Sequence, residues 1–352
     1  MTALLSVEDV RVTFPVGGLF ARLAGGPGEI EAVAGVSFEI GRGECFALVG
    51  ESGSGKTTLA RAIIGLQEVA SGTLHFEGAE ITGLGPAALK PVRRRMAMMF
   101  QDPVGSLSPR LSVRALLAEP FRIHGLTDRD LEAEVRRLLA LVGLPPEFAG
   151  RYPHQLSGGQ ARRIGVARAI ALDPVLIVAD EPTAGLDVSV QGDVLNLLND
   201  LRERLGLSLL IITHNLHVVR QVADRMAVMY LGRFVETGET EAIFAAPRHP
   251  YSAALISANP EPDPDAARNR IALPAEVPSL LARPSGCEFH TRCPWVRERC
   301  ASEAPPLGDG ARRVLCHYPL EPGDFAAPGM SSGIVEAGGP GGARSSPSEG
   351  AG

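Results

Sequence analysis

The stretch Gly50-Glu51-Ser52-Gly53-Ser54-Gly55-Lys56-Thr57-Thr58 has the G-x-x-x-x-G-K-[ST] spacing of a phosphate-binding loop. Its glycines and serines let successive backbone N–H groups turn inward around a phosphate chain, and the helix that begins beyond them adds partial positive charge. In such a loop Lys56 reaches the β- and γ-phosphates and the Thr57 hydroxyl ligates Mg²⁺. Much later, Asp180 and Glu181 form adjacent carboxylates, the first suited to hold Mg²⁺ and the second to polarise an attacking water. Gln101, in MMFQDP, follows an apolar run and is placed to reach Mg²⁺ or water. The run Leu156-Ser157-Gly158-Gly159-Gln160 offers Ser157 as an N-cap and exposes the amides of Gly158 and Gly159 at a positive helix end, a second phosphate-binding surface.

Each of these groups needs an element to hold it. The apolar run Cys45-Phe46-Ala47-Leu48-Val49 enters the glycine loop and Leu59-Ala60-Arg61-Ala62-Ile63-Ile64 leaves it, which reads as strand, turn, helix. Val175-Leu176-Ile177-Val178-Ala179 is apolar without alternation and ends at Asp180-Glu181, as a strand buried on both faces of a parallel sheet would. Leu209-Leu210-Ile211-Ile212-Thr213 repeats the pattern and ends at His214. Between them Val194, Leu197, Leu198, Leu201 and Leu205 recur at helical spacing and stop at Gly206. Strand, helix, strand predicts a right-handed parallel unit, whose ligands bind beyond the carboxyl ends of the strands, so Asp180, Glu181 and His214 should sit beside the phosphate loop. Residues from about 101 to 170, including a helix over Leu131 to Val142, read as a helical subdomain inserted between core strands. The Leu156–Gln160 run lies on that insert, apart from the phosphate loop. Two subunits arranged head to tail would let each offer it to the ATP of the other.

The length of 352 residues and the 45% hydrophobic content allow one large core with an appendage. A net charge of −6 without a long Lys/Arg block argues against a general nucleic-acid grip. Arg93-Arg94-Arg95 and Arg162-Arg163 read as solvated helix faces. No apolar run approaches a membrane span, and Glu8 and Asp9 come too early for a signal peptide, so a cytosolic chain is expected, with any membrane role through a partner. Cys45 reads as core, whereas Cys287, Cys293, Cys300 and Cys316 crowd one C-terminal region. In a reducing compartment such a cluster suggests metal before disulfide. Four thiolates suit either a [4Fe–4S] cluster or structural zinc, and Cys293-Pro294 resembles the Cys-Pro of ferredoxins. His290 and His317 are candidate substitute ligands or solvated residues. From about Gly323 the chain is rich in Gly, Pro, Ser and Ala and reads as a disordered tail.

Taken in order, the phosphate loop, Gln101, LSGGQ, Asp180-Glu181, the loop ending at Asp187 and His214 resemble the ATPase subunit of an ATP-binding cassette (ABC) transporter over roughly residues 1 to 245. The resemblance implies a P-loop NTPase (RecA-like) α/β core with a parallel sheet, ATP and Mg as ligands, Glu181 as general base and His214 as sensor of the γ-phosphate. It also implies Ser157, Gly158, Gly159, Gln160 and Asp187 completing the partner's ATP site. Phe14 would stack on adenine, or else is an edge-strand core residue, since the Gly-rich insert PVGGLFARLAGGPGE stretches its distance from the loop. Ala184-Gly185 and Asn215 stand where the family usually has Ser-Ala and Asp, which touches the tuning of contacts between sites and removes no catalytic group.

QDPVGSLSPR, RYPHQLSGGQ, HPYSAAL and PSGCEFHTRCP resemble the oligopeptide/dipeptide/nickel importer branch, with a C-terminal extension over residues 246–320 and the tail over 321–352. Members of that branch are thought to carry iron–sulfur clusters, which favours [4Fe–4S] over zinc or no metal. The implied assembly is an ATPase dimer, of identical or non-identical subunits, with two membrane permease subunits docked near Gln101 and Val104. It is peripheral at the cytoplasmic face of the cell (inner) membrane, is served indirectly by an extracytoplasmic solute-binding protein, and has no nucleic-acid partner. Peptides are the expected cargo and nickel the alternative. A chromosome-maintenance ATPase would need a long coiled coil, and no sustained heptads occur. A translation factor would carry two cassettes, and a redox-sensing module would make the cysteines its main function.

Overall fold

A computed structural model describes residues 3–16, 29–100, 102, 105–126, 128–185, 187–259, 270–274, 276–322 and 324. Gln101, Val104, most of the Gly-rich insert and nearly all of the tail lie outside the described residues.

The strands are β1 (Leu5–Pro15), β2 (Glu29–Ile40), β3 (Cys45–Val49), β4 (Ser71–Phe76), β5 (Ala79–Glu80), β6 (Met96–Met99), β7 (Leu176–Asp180), β8 (Ser208–Thr213), β9 (Arg225–Tyr230), β10 (Arg233–Glu239) and β11 (Arg313–Val314). They form two sheets: a four-stranded antiparallel one in the order β2-β1-β4-β5, and a seven-stranded one in the order β11-β10-β9-β3-β8-β7-β6. In the larger sheet β6, β7, β8, β3 and β9 run parallel, and β10 and β11 close one edge antiparallel.

The apolar runs that lack alternation are buried on both faces, as a parallel core requires. Ile177, Ala179, Leu209 and Ile211 pack on one side with Phe121, Leu138, Ile164 and Leu198. Leu176, Val178, Leu210 and Ile212 pack on the other with Leu59 and Ile63 of the phosphate-loop helix and with Val10 and Val36 of the antiparallel sheet. The crossover helix Val188–Leu205 ends at Gly206, whose φ of 65° supplies the left-handed turn that β8 needs to start beside β7. The inserted helical region is built from Val113–Ile123, Leu131–Leu141 and Gly158–Ala169, the first two capped by Ser112 and Asp130.

The C-terminal region is joined to the core by more than its chain connection. β11 extends the large sheet, with Val314 opposite Glu236. Tyr251, Cys287, Phe289 and Cys300 share one apolar cluster with Val49, Val228 and Tyr230 of the central strands. Glu236, fully buried, accepts from Arg312 and from the backbone N–H groups of Arg248 and His249, and this clamps the extension to β10.

Candidate functional site

Beyond the carboxyl end of β3 the chain turns through Gly50–Gly55 into the helix Lys56–Ile63. Two glycines are obligatory for space: a Cβ at Gly50 would meet the Met229 carbonyl, and one at Gly55, with φ 104°, would meet the Ala32 carbonyl. Ser52 and Gly53 stand exposed at the tip of the loop. Lys56 is buried and its Nζ donates to the Gly50 and Glu51 carbonyls, both at 2.8 Å, and to Ser54 Oγ at 3.2 Å. Burial pulls the Lys56 ammonium below its ordinary pKa, and Glu181, Asp180 and Glu51 oppose that shift. The cation is thus held by a ring of loop acceptors and three carboxylates.

The adjacent strand ends bring up the rest. Asp180, the last residue of β7, accepts from the Thr57 hydroxyl at 3.2 Å. Burial raises its pKa, the Thr57 hydrogen bond opposes that rise, Glu181 adds to it, and Arg61 and Lys56 oppose it. A hydroxyl and a carboxylate side by side are hard oxygen donors of the kind Mg²⁺ takes, with phosphate and water oxygens to fill its octahedron. Glu181 follows at φ 50°, a left-handed conformation unusual for a residue with a side chain, and its N–H is tied to the Ile212 carbonyl at 2.8 Å. That kink turns its carboxylate toward β8. Glu181 Oε1 lies 2.7 Å from His214 Nδ1 and accepts from the His214 N–H, and Oε2 accepts from the Thr213 hydroxyl. The sequence placed Glu181 and His214 at neighbouring strand ends, and the structure joins them directly.

Ser157 caps the helix Gly158–Ala169 in a reciprocal box: its hydroxyl accepts from the Gln160 N–H, and Gln160 Oε1 accepts from the Ser157 N–H. No hydrogen bond joins this turn to the phosphate loop of the same chain among the described residues. Asp187 stands at the start of the crossover helix, two residues after Gly185 at φ 70°. Phe14 is not in the core: it sits opposite Ile30 near the end of β1, with 36% of its surface exposed.

The reading of the arginine runs as solvated faces holds for Arg94 and Arg95, which are exposed, and needs correction at Arg162. Arg162 is buried and donates to the Pro182 and Ala184 carbonyls, so the LSGGQ helix grips the loop that follows Glu181. Arg93 donates to the Ile64 and Gly65 carbonyls, and Arg95 grips Glu77 with two nitrogens. Consecutive arginines carry no sign of which one turns inward, and only the packing decides. A groove between the end of β6 and two of the inserted helices, Val113–Ile123 and Gly158–Ala169, is lined by Met98, Phe100, Pro120, Ile123, His124 and Arg168, of which Phe100 and Ile123 are exposed apolar side chains.

The iron–sulfur expectation, and zinc with it, is overturned. Cys287, Cys293, Cys300 and Cys316 do line one small pocket, yet among the described residues no group of three or more His, Cys, Asp or Glu side chains is disposed to hold a metal ion. Burial raises the pKa of Cys287 and pushes Cys293 to about 12 and Cys316 to about 11. Both histidines considered as substitutes spend a ring nitrogen on the backbone, His290 on the Cys287 carbonyl and His317 on that of Glu303. The extension takes its order instead from the aromatic packing of Tyr230, Tyr251 and Phe289.

Comparison with known proteins agrees with this geometry. The family model described as ABC transporter matches residues 33–184, and that of the oligopeptide/dipeptide transporter C-terminal region matches residues 235–300. The chain is 48% identical to a probable peptide ABC transporter ATP-binding protein of Sinorhizobium fredii, over 90% of each chain. It is 44% identical to the oligopeptide transport ATP-binding protein AppF of Bacillus subtilis, covering 89% of this chain and 97% of that protein. The same identity relates it to the di/tripeptide transport ATP-binding protein DppF of Pseudomonas aeruginosa, covering 90% and 98%. Among solved structures, a dimeric post-hydrolysis state of an ATP-binding cassette bound to ADP and Pi superposes with a TM-score of 0.59 at 27% identity, over 67% of this chain and 98% of that one.

Proposed function

Because this chain belongs to the ABC transporter ATPases, with the C-terminal region of their oligopeptide/dipeptide branch, we propose how its residues divide the work of ATP hydrolysis in powering peptide import. The chain is the ATP-hydrolysing subunit, and its solved neighbour is dimeric in the state bound to ADP and Pi. Lys56 and the amides of Gly50–Thr58 bind the phosphates, and Thr57 and Asp180 hold Mg²⁺, which when bound neutralises charge on the phosphates. Glu181 takes the proton of the attacking water. The observation that carries this role is the 2.7 Å contact between Glu181 Oε1 and His214 Nδ1, which aims one carboxylate from two strand ends toward the space beyond the phosphate loop. His214, largely exposed on its outer side, couples that carboxylate to the γ-phosphate.

Ser157, Gly158, Gly159 and Gln160 present an open helix N-terminus and complete the ATP site of a second ATPase subunit, with Asp187 at the seam. Arg162 makes that helix and the loop after Glu181 move together. The groove at Phe100 and Ile123 adjoins Gln101 and Val104 in sequence and takes a permease helix. Closing the dimer around ATP pulls on that helix, and hydrolysis releases it. No helix among the described residues is long and apolar enough to cross a membrane; in the proposed assembly the attachment runs through the permease, at the cytoplasmic face. Peptides reach the permease from an extracytoplasmic binding protein.

The test is Glu181→Gln in the assembled transporter. It keeps shape and the acceptor for His214, so ATP binding is retained within about threefold. Removing the base lowers the hydrolysis rate by roughly 100- to 10,000-fold. Near-normal steady-state hydrolysis would take Glu181 out of this role.

A further inference from the structure

Glu51, the second residue of the phosphate loop, is held at three points, and the C-terminal region supplies two of them. Its carbonyl accepts from Lys56 Nζ at 2.8 Å. Its N–H donates to the Tyr251 hydroxyl at 2.9 Å. Its carboxylate takes both terminal nitrogens of Arg292, at 2.8 and 3.1 Å. These partners lie 200 and 241 residues further along the chain.

The clasp is built to be rigid. Arg292 is 6% exposed at its side chain and Glu51 29%, so solvent screens the pair only in part. The guanidinium lies 5.9 Å from the Tyr230 ring centre, and Tyr230 packs on Tyr251 at 4.8 Å. Both Tyr251 and Phe289, whose carbonyl accepts the Arg292 N–H at 3.0 Å, belong to the cluster that seats the extension on the central strands.

The electrostatics give the clasp a purpose. A carboxylate inside a loop whose task is to gather polyanionic phosphates repels them unless a cation neutralises it. Lys56 cannot serve both, since its charge is needed by the phosphates themselves. We propose that Arg292 is a positioning residue of the ATP site: it neutralises Glu51 and, with Tyr251, fixes the first turn of the phosphate loop, so that the C-terminal region sets the affinity for ATP. The inference rests on the reading of Gly50–Thr58 as the phosphate loop.

The experiment measures ATP affinity, and kcat against KM, in the full chain assembled with its permease. Arg292→Gln leaves Glu51 as an unneutralised charge beside the phosphates and weakens ATP binding roughly tenfold, with kcat within about twofold. Adding Glu51→Gln to that variant removes the repulsion and restores affinity to within about threefold of the parent, a rescue that a merely structural role of Arg292 would not give. Glu51→Gln alone leaves the guanidinium unspent and tightens ATP binding a few-fold, and it decides the matter if Arg292→Gln fails to fold. A double variant as weak as Arg292→Gln, or a Glu51→Gln that weakens binding, overturns the proposal. So does Arg292→Gln at parental affinity while Lys56→Ala abolishes binding, in which case the phosphate-loop reading stands. Parental affinity in Lys56→Ala would instead bring down that reading, and this inference with it.

Discussion

Replacing Arg162 by methionine separates grip on the loop from grip on the nucleotide. Methionine keeps most of the apolar volume, but it removes the two nitrogens that hold the Pro182 and Ala184 carbonyls. Hydrogen bonds from a charged donor contribute about 1.5–3 kcal/mol each. Against that gross loss stands the recovered cost of a guanidinium that is 4% exposed, whose Nε has no partner and whose pKa burial lowers against the pull of Asp102. Overall stability should therefore change little, within about 1 kcal/mol, while the geometry of the loop loses about 3 kcal/mol of support. If that support is needed to keep Glu181 and the loop behind it aligned with the LSGGQ helix, the hydrolysis rate falls roughly 100-fold. ATP affinity stays within about threefold, because none of the phosphate-loop bonds involves Arg162. The assays are steady-state hydrolysis in the assembled transporter, equilibrium ATP binding, and amide exchange across residues 181–185. Arg162→Lys, with one donor group in place of a fork, should fall between the two. Hydrolysis within twofold of the parent in Arg162→Met, with faster exchange in the loop, would refute the coupling while leaving the hydrogen bonds real.

Two further predictions come from other parts of the site and its support. Ser157→Arg puts a bulky cation where a short cap hydroxyl and close backbone approach are needed. In a dimer with one such chain, hydrolysis should fail at the phosphate loop of the other chain, and a defect confined to the mutant chain's own loop would contradict the head-to-tail arrangement. His249 is fully buried, accepts the Tyr251 N–H on Nδ1, and burial lowers its pKa from 6.5 to about 3. The unfolded chain therefore takes up a proton that the fold does not, and stability drops as pH falls below about 6.5 towards 3. Between pH 6.5 and 5 this removes about 2 kcal/mol, to be read from denaturant midpoints, and His249→Asn should abolish that part of the slope.

Much of the site could be read from sequence because its residues sit at the ends of unalternating apolar runs. Such runs permit little but central parallel strands, and strand ends in that architecture converge. The phosphate loop, Thr57, Asp180, Glu181 and His214 came together for this reason, as did the crossover helix stopped by Gly206. The arginines were not legible in the same way. Arg162 and Arg292 lie in charged stretches where polarity predicts solvent, and their burial depends on carbonyls and a carboxylate contributed from elsewhere in the chain. Tyr251 stood inside the HPYSAAL run without any local mark that its hydroxyl would reach Glu51. The cysteines failed in the opposite direction. Their crowding invited a metal, but sequence spacing does not show that Cys287 and Cys300 pack into the apolar cluster of Tyr230, Tyr251 and Phe289.

The central claim is that hydrolysis by this chain drives peptide entry through a permease. The measurement that tests it most directly is uptake of a labelled oligopeptide into vesicles containing the assembled transporter, with the solute-binding protein on the side opposite the ATPase. Uptake and phosphate release are followed together for the parent chain and for Glu181→Gln. The account predicts ATP-dependent accumulation by the parent and none by Glu181→Gln, although that variant still binds ATP. Accumulation at the parental rate with hydrolysis abolished, or brisk hydrolysis that never moves peptide, would contradict it.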